Sequence, residues 1–202
     1  MKKIIIVGPV PPPLGGIELY VKKLIDYNEI NNKYRLILFN TAIPENIRSF
    51  KKRNERSYFS FLSNGIIPAF RLIIYIIETF FKFQKFLVTN KPDIIQIFTP
   101  SYWGFWRSFI YIIISKMFRI KVIFHLLNAI DVFYEEASLT PKFFIKLILN
   151  KSDVLLVQSD GIRNFLEKIS KTPVIAIYNG VELWKYDQFT VNKILFDNQN
   201  IE

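Results

Sequence analysis

A chain of 202 residues suits one large α/β domain better than two and can bury a proper core. Half of it is hydrophobic, with twenty Phe and ten Tyr, which excludes a disordered chain; it has no cysteine, which excludes disulfides and thiolate metal sites and is compatible with a reducing cytoplasm. The net charge of +10, from 27 Lys and Arg against 17 Asp and Glu, points to an anionic partner: nucleic acid, anionic membrane or phosphorylated ligand.

The N-terminus, two lysines ahead of a short apolar run, is too brief for a signal peptide. Ile4–Val7 reads as a strand buried on both faces, as in a parallel sheet. Gly8, the prolines Pro9, Pro11, Pro12 and Pro13, and the pair Gly15-Gly16 form a stiff loop that opens a helix with Ile17, Tyr20, Val21, Leu24 and Ile25 on one face and an end near Tyr27. A strand, a stiff loop and a glycine-opened helix place free backbone N–H groups at the end of a sheet, where an anion can sit. The loop is neither a dinucleotide fingerprint nor a P-loop, because GxGxxG and GK[ST] are both missing.

Tyr34–Phe39 is the second strand. Residues 41–64 read as irregular, with a short edge strand near Tyr58–Leu62. Within them Arg48–Arg56 carries five basic side chains against Glu55, with Phe50, Tyr58, Phe59 and Phe61 around it. Such a run is either a solvated loop or a membrane-docking one, its cations meeting anionic head groups while its rings enter the interface. Nucleic acid is not expected, because no recognition motif is present. A helix follows from about Pro68, with Ile73, Ile76, Ile77, Phe80 and Phe81 on one face. Arg71, Glu78, Lys82 and Lys85 keep it from reading as a transmembrane span.

Ile94–Phe98 is the third strand, and its exit loop Thr99–Gly104 brings Tyr102, Trp103 and, just beyond, Trp106 to the carboxyl edge. A helix covers Trp106–Phe118, Lys121–Leu126 is a strand, and Leu127–Ser138 is a loop or partial helix. Pro141–Asn150 is helical, Val154–Val157 is a strand, Ser159 caps a helix over Gly161–Ile169, and Pro173–Tyr178 is the last strand. Strands separated by helices throughout predict an α/β fold: a doubly wound, mainly parallel Rossmann-like sheet with helices on both faces. Its ligand edge is the carboxyl end of the strands, which gathers Gly15-Gly16, Thr99–Trp103, His125 and Ser159-Asp160 on one rim. His125, the single histidine, is there either a structural donor or a ligand-facing group. One histidine and no cysteine supply no metal cluster, and the serine-nucleophile signature GxSxG is missing.

In these motifs the chain resembles the N-terminal, acceptor-side domain of a glycosyltransferase of family 4, the retaining, nucleotide-sugar-dependent group with the GT-B fold. The pieces that carry the likeness are PPPLGGIE after the opening strand, PDIIQIF, KVIFH, SDVLLVQSDGIRNFL and VIAIYNGVEL, in order over about Lys3–Leu183. The resemblance implies that Gly15 and Gly16 lie beside the donor's diphosphate and the acceptor, and that His125 sits close to the transferred sugar as the catalytic residue. It implies substrate contacts at Tyr102, Trp103 and Ser159, no divalent ion and no cofactor, the nucleotide sugar being a co-substrate. Asn179 and Gly180 would form the turn into the interdomain linker. Residues 1–183 would be the domain and 184–202 a polar tail or the start of that linker. Two departures stand out. Relatives carry H-x-H-G where this chain has His125-Leu126-Leu127-Asn128, which makes Leu127 the rival for the catalytic place. Relatives also continue into a second Rossmann-like domain with a basic pair and an E-x7-E segment that hold the donor, whereas this sequence ends twenty-one residues after Val181.

The expected function is therefore sugar transfer to a lipid-linked or polysaccharide acceptor in cell-envelope synthesis, with little activity from this half alone. The basic residues Lys51, Lys52 and Arg53 would hold it at an anionic membrane. The alternative is a non-catalytic membrane-docking subunit that recruits a separate donor-binding chain. A self-sufficient nucleotide-binding Rossmann domain fits less well, because the second strand ends Phe39-Asn40 where a ribose-binding acid is expected. Both main readings place the chain in the cytoplasm, or peripherally on the inner face of the plasma membrane.

Overall fold

A computed structural model of the chain describes residues 1–12, 14–31, 33–42, 66–99, 103–127 and 129–178. Six strands, β1 (Lys3–Gly8), β2 (Arg35–Asn40), β3 (Ile94–Thr99), β4 (Lys121–Leu126), β5 (Val154–Val157) and β6 (Val174–Ala176), form one sheet in the order β2-β1-β3-β4-β5-β6. Every pair is parallel. The six helices among the described residues are α1 (Gly16–Asn31), α2 (Ile66–Asn90), α3 (Trp103–Met117), α4 (Ile130–Glu135), α5 (Leu139–Lys151) and α6 (Asp160–Ile169).

The winding explains how the helices are shared between the two faces. The step from β1 to β2 goes one way along the sheet, and every later step goes the other way. Right-handed crossovers then send α1 to one face and the later helices to the opposite one. On the crowded face Phe83 and Leu87 of α2, Phe105, Ile112 and Ile114 of α3, Phe133 of α4, Ile145 and Leu149 of α5 and Leu166 of α6 close over Ile5, Ile97, Val122, Phe124 and Leu155. Each such side chain contributes about 1.5–3 kcal/mol on burial. On the other face Val21 of α1 packs with Ile6, Phe98 and Leu127. Beyond α1 that face opens, and Ile175 of β6 is 50% exposed.

At the amino edge two aspartates hold neighbouring strands in register. Asp93, just before β3, accepts a hydrogen bond from the Lys3 N–H of β1 at 2.7 Å. Asp153, just before β5, accepts from the Val122 N–H of β4 at 2.6 Å and also takes the Lys116 ammonium. Burial raises the Asp153 pKa, but those two hydrogen bonds and the charges of Lys116 and Lys121 outweigh it and hold the carboxyl below its usual value. The aspartates of the PDII and SDVLL segments thus have a structural duty at the end of the sheet opposite the ligand edge.

Several boundaries differ from the sequence reading. The first helix runs four residues past Tyr27, to Asn31. The helix after β3 begins at Trp103, so Trp103 lies in its first turn rather than in a loop. Trp106 is drawn into the core instead of the rim, its ring edge-on to Phe105 at 5.7 Å and close to Phe133 at 6.2 Å. The apolar face of α3 thus overrides the loop signal of Gly104. Part of Leu127–Ser138 is helical, as α4, and the last strand is shorter than expected. The basic run Arg48–Arg56 with Lys51, Lys52 and Arg53, the edge strand near Tyr58–Leu62, Tyr102, and the turn at Asn179 and Gly180 lie outside the described residues.

Gly8 ends β1 where α1 closes on the sheet. A Cβ there would lie 3.0 Å from Val21 Cγ2 and 3.2 Å from Phe98 Cβ. Gly8→Val is expected to lower the unfolding free energy in urea by about 1–3 kcal/mol, by forcing α1 off the sheet. Gly16→Ala, where an added Cβ meets nothing within 4 Å, is the control and should cost nothing measurable.

Candidate functional site

Because all six strands run the same way, the loops after Gly8, Asn40, Thr99, Leu126, Val157 and Ala176 share one edge. The order of the sheet reverses beside β1, so the switch point of this edge falls at the carboxyl ends of β1 and β3. The β1 loop is tied down from its neighbour. Asn40 Oδ1 accepts from Ala42 N–H at 2.9 Å and from Val10 N–H at 3.4 Å, and Thr41 N–H bonds Gly8 O at 3.1 Å. The residue standing where a ribose-binding acid would be expected is thus spent on holding the loop.

The diglycine opens α1, with Leu19 N–H bonded to Gly15 O at 3.0 Å. Its N-terminus already has a carboxylate beside it, since a Cβ on Gly15 would fall 2.3 Å from Glu18 Oε2. That carboxylate favours the positive end of the helix, and an anionic ligand must displace it or bind alongside. Gly16 faces open space.

His125 lies on the same face as α1. It pairs in the sheet with Phe98 of β3 and Leu156 of β5, and it is only 1% exposed. Tyr20, one turn into α1 from Gly16, meets the imidazole edge-on at 5.5 Å, and the Phe98 ring lies tilted against it at 4.9 Å. Nδ1 is 3.3 Å from Gln96 Nε2, while Nε2 is buried with no hydrogen-bond partner among the described residues. Burial pushes the His125 pKa down to about 4, so the ring is neutral at physiological pH, and burial likewise raises the Tyr20 phenol. The diglycine turn and the imidazole therefore share an end and a face, joined through Tyr20.

Leu127, the rival for the catalytic place, is buried in the α1-side core with Ile6, Val21 and Phe98 and presents no polar side-chain atom. Ser159 caps α6, its Oγ accepting from Ile162 N–H at 3.3 Å, which leaves the hydroxyl proton able to donate to a ligand. Next to it Asp160 accepts from the Tyr178 hydroxyl and pairs with Arg163 at 2.9 Å; the bond from Tyr178 raises that phenol's pKa. At β3, Ser108 Oγ of α3 lies 2.9 Å from Thr99 Oγ1 and fastens the strand end to the helix after it. Trp103 is placed by its backbone at the start of α3. Among the described residues no group of three or more His, Cys, Asp or Glu could hold a metal ion.

No protein-family model and no curated protein sequence matches the chain. Solved structures do. Sucrose-phosphate synthase from Thermosynechococcus elongatus aligns with 91% of this chain and 49% of its own, at 15% identity and a TM-score of 0.55. The MnaA–UDP complex from S. aureus aligns with 95% of this chain and 49% of its own, at 13% identity and 0.55. UDP-GlcNAc 2-epimerase from Methanocaldococcus jannaschii aligns over 100% and 54%, at 15% identity and 0.51. The fold is GT-B-like. At these identities the likeness concerns fold alone, and the chain spans about half the length of the structures it matches.

Three residues near this edge, Gln96 and Tyr20 at His125 and Glu18 at Gly15, escaped the sequence reading as parts of the candidate site. Gln96 had a signal, being the one polar residue inside the apolar strand IIQIFT. Glu18 had a weaker one, an acid three residues after the helix-opening glycine, as in a capping box. Tyr20 had none, because an aromatic on an amphipathic helix reads as core.

A neutral buried histidine gives the fold a pH dependence of known sign. The unfolded chain takes a proton near pH 6.5 and the folded chain only near about 4. The stability tied to neutral His125 is therefore complete above pH 6.5 and is lost as pH falls toward 4. Urea unfolding of wild type and His125→Leu at several pH values should differ by an amount that shifts by about 3 kcal/mol across that window, the wild type losing ground in acid.

Proposed function

We propose that the chain is the acceptor-side half of a retaining, family 4 glycosyltransferase that transfers sugar from a nucleotide sugar to a lipid-linked or polysaccharide acceptor. The observation that carries the reading is His125 Nε2, a buried unpartnered ring nitrogen near the carboxyl edge, on the α1 face and one Tyr20 ring away from the helix that Gly15-Gly16 opens. An orphaned polar atom at the ligand edge of a doubly wound sheet is where a substrate oxygen is expected. In support stands a GT-B-like fold shared with sucrose-phosphate synthase and UDP-GlcNAc 2-epimerase. His125 is the catalytic residue of this proposal. Gly15 and Gly16 border the diphosphate and the acceptor, and Ser159, Tyr102 and Trp103 contact the substrate. Residues 1–183 make up the domain, and Asn179-Gly180 leads toward a donor-binding half, in this chain or another. That half supplies the contacts that orient the leaving diphosphate.

A segment of residues 1–202 alone is accordingly expected to bind uridine or guanosine diphosphate sugars negligibly. Calorimetry that gave micromolar affinity for either would make this a self-sufficient nucleotide-binding domain and remove the reading.

A second reading, a membrane-docking subunit without catalysis, is favoured by the outer pole of α2. Ile74, Ile77, Phe81 and Val88 recur there at helical spacing, and Ile77 and Phe81 are 50% and 61% exposed. No helix among the described residues is long and apolar enough to cross a membrane, so this stripe would lie in the interface, with the cations of Arg48–Arg56 supplied by the sequence ahead of α2. The chain should sediment with anionic vesicles in low salt and release in high salt. The triple change Lys51→Gln, Lys52→Gln, Arg53→Gln should abolish the binding; undiminished binding would refute the membrane role of that segment.

A further inference from the structure

Among the described residues the one histidine of the chain has a partner on only one of its ring nitrogens. Gln96 and His125 sit on adjacent strands and face the same side of the sheet, with Gln96 Nε2 3.3 Å from His125 Nδ1. A carboxamide NH2 has donors and no acceptor. With the amide turned this way, the ring nitrogen that meets it brings its lone pair, and the proton of the neutral imidazole sits on the other nitrogen. We propose that Gln96 is a positioning residue for His125, its amide holding the imidazole in the Nε2–H tautomer so that the ring offers a ligand oxygen a donor and not a base. As a role in catalysis this rests on the sugar-transfer reading; as a statement about the proton it does not.

Tyr20 packs on the ring from α1 and Phe98 from β3, and Leu156 pairs with it across β5. Among the described residues the Tyr20 phenol is the only titratable group packed on the ring, and none of their carboxylates is in contact that would stabilise an imidazolium. Burial acts in the same direction, pushing the ring pKa down to about 4. Near neutral pH, then, Nε2 has no lone pair to take a proton with, and the ring has no second proton to give. What it can do is donate one hydrogen bond from a site shielded from water, where such a bond is strong. The oxygen that answers it is an acceptor: a sugar or acceptor hydroxyl through its lone pair, or a phosphate oxygen. The contact gains most where negative charge builds on that oxygen. Removing the amide of Gln96 leaves Nδ1 a buried acceptor without a donor, and the preference for one tautomer disappears. Placing a carboxylate there reverses the preference and draws the proton to Nδ1.

Two-bond proton–nitrogen correlation spectra of the nitrogen-15-labelled chain read this without ambiguity, since a single histidine gives a single ring pattern. The wild type is expected to show the Nε2–H pattern throughout the neutral range, with no protonation down to about pH 5.5. Gln96→Met, similar in length but without the donor, should show both tautomers. Gln96→Glu should move the proton to Nδ1 and raise the ring pKa by about one pH unit or more. A wild-type ring in the Nδ1–H form, a midpoint near the ordinary histidine value, or a Gln96→Met spectrum that keeps the wild-type pattern would overturn the proposal. Where neither variant folds, the wild-type spectrum alone decides. No sugar is added at any stage, so failure here leaves the sugar-transfer reading to its calorimetric test, and failure there leaves the tautomer standing.

Discussion

The reversal of winding at β1 is the constraint on which the rest depends. One crossover goes toward β2 and all later ones go the other way, and because each is right-handed, the reversal leaves α1 on a face of its own among the described residues. That asymmetry places Tyr20 against His125 and sets the switch point at the carboxyl ends of β1 and β3. A sheet wound in one direction only would have put α1 with the other helices and left the imidazole on a different face from the diglycine turn.

Close approach of α1 to the sheet is the second requirement, and Gly8 meets it. With Val21 and Phe98 at van der Waals contact around its missing side chain, the helix sits low enough for the Tyr20 ring to reach the imidazole. The two ends of the sheet then divide their duties. At the amino edge Asp93 and Asp153 tie β1 to β3 and β4 to β5 through backbone N–H groups. At the carboxyl edge Asn40 holds the β1 loop and Ser108 fastens the end of β3 to α3. The frame is set at one end and the site at the other, as in doubly wound proteins generally.

His125 occupies the position where these two demands meet. It is buried deeply enough to be neutral, yet Nε2 lacks the partner that buried polar atoms almost always have. The strand residue that decides how the ring is used, Gln96, lies beneath it on β3 and would be an odd choice for a strand interior if packing alone were at stake.

From the sequence alone the strands, their parallel arrangement and the carboxyl edge could be read, because buried parallel strands are short continuous apolar runs and helices repeat at 3.6 residues. Both signals are local, so IIIVG, IIQIF and KVIFHL were legible without coordinates, as was the single histidine at the end of its strand. What only the tertiary structure decided were contacts between residues far apart in the chain. Nothing local distinguishes Trp106 in the core from Trp106 at the rim, Leu127 under α1 from Leu127 in a site, or a carboxamide beneath an imidazole from one facing solvent. Those outcomes depend on strand order and on which face each helix covers, and the physical reason is that side-chain partners across a sheet are set by the handedness of the crossovers, which leaves no trace in the spacing of residues along the chain.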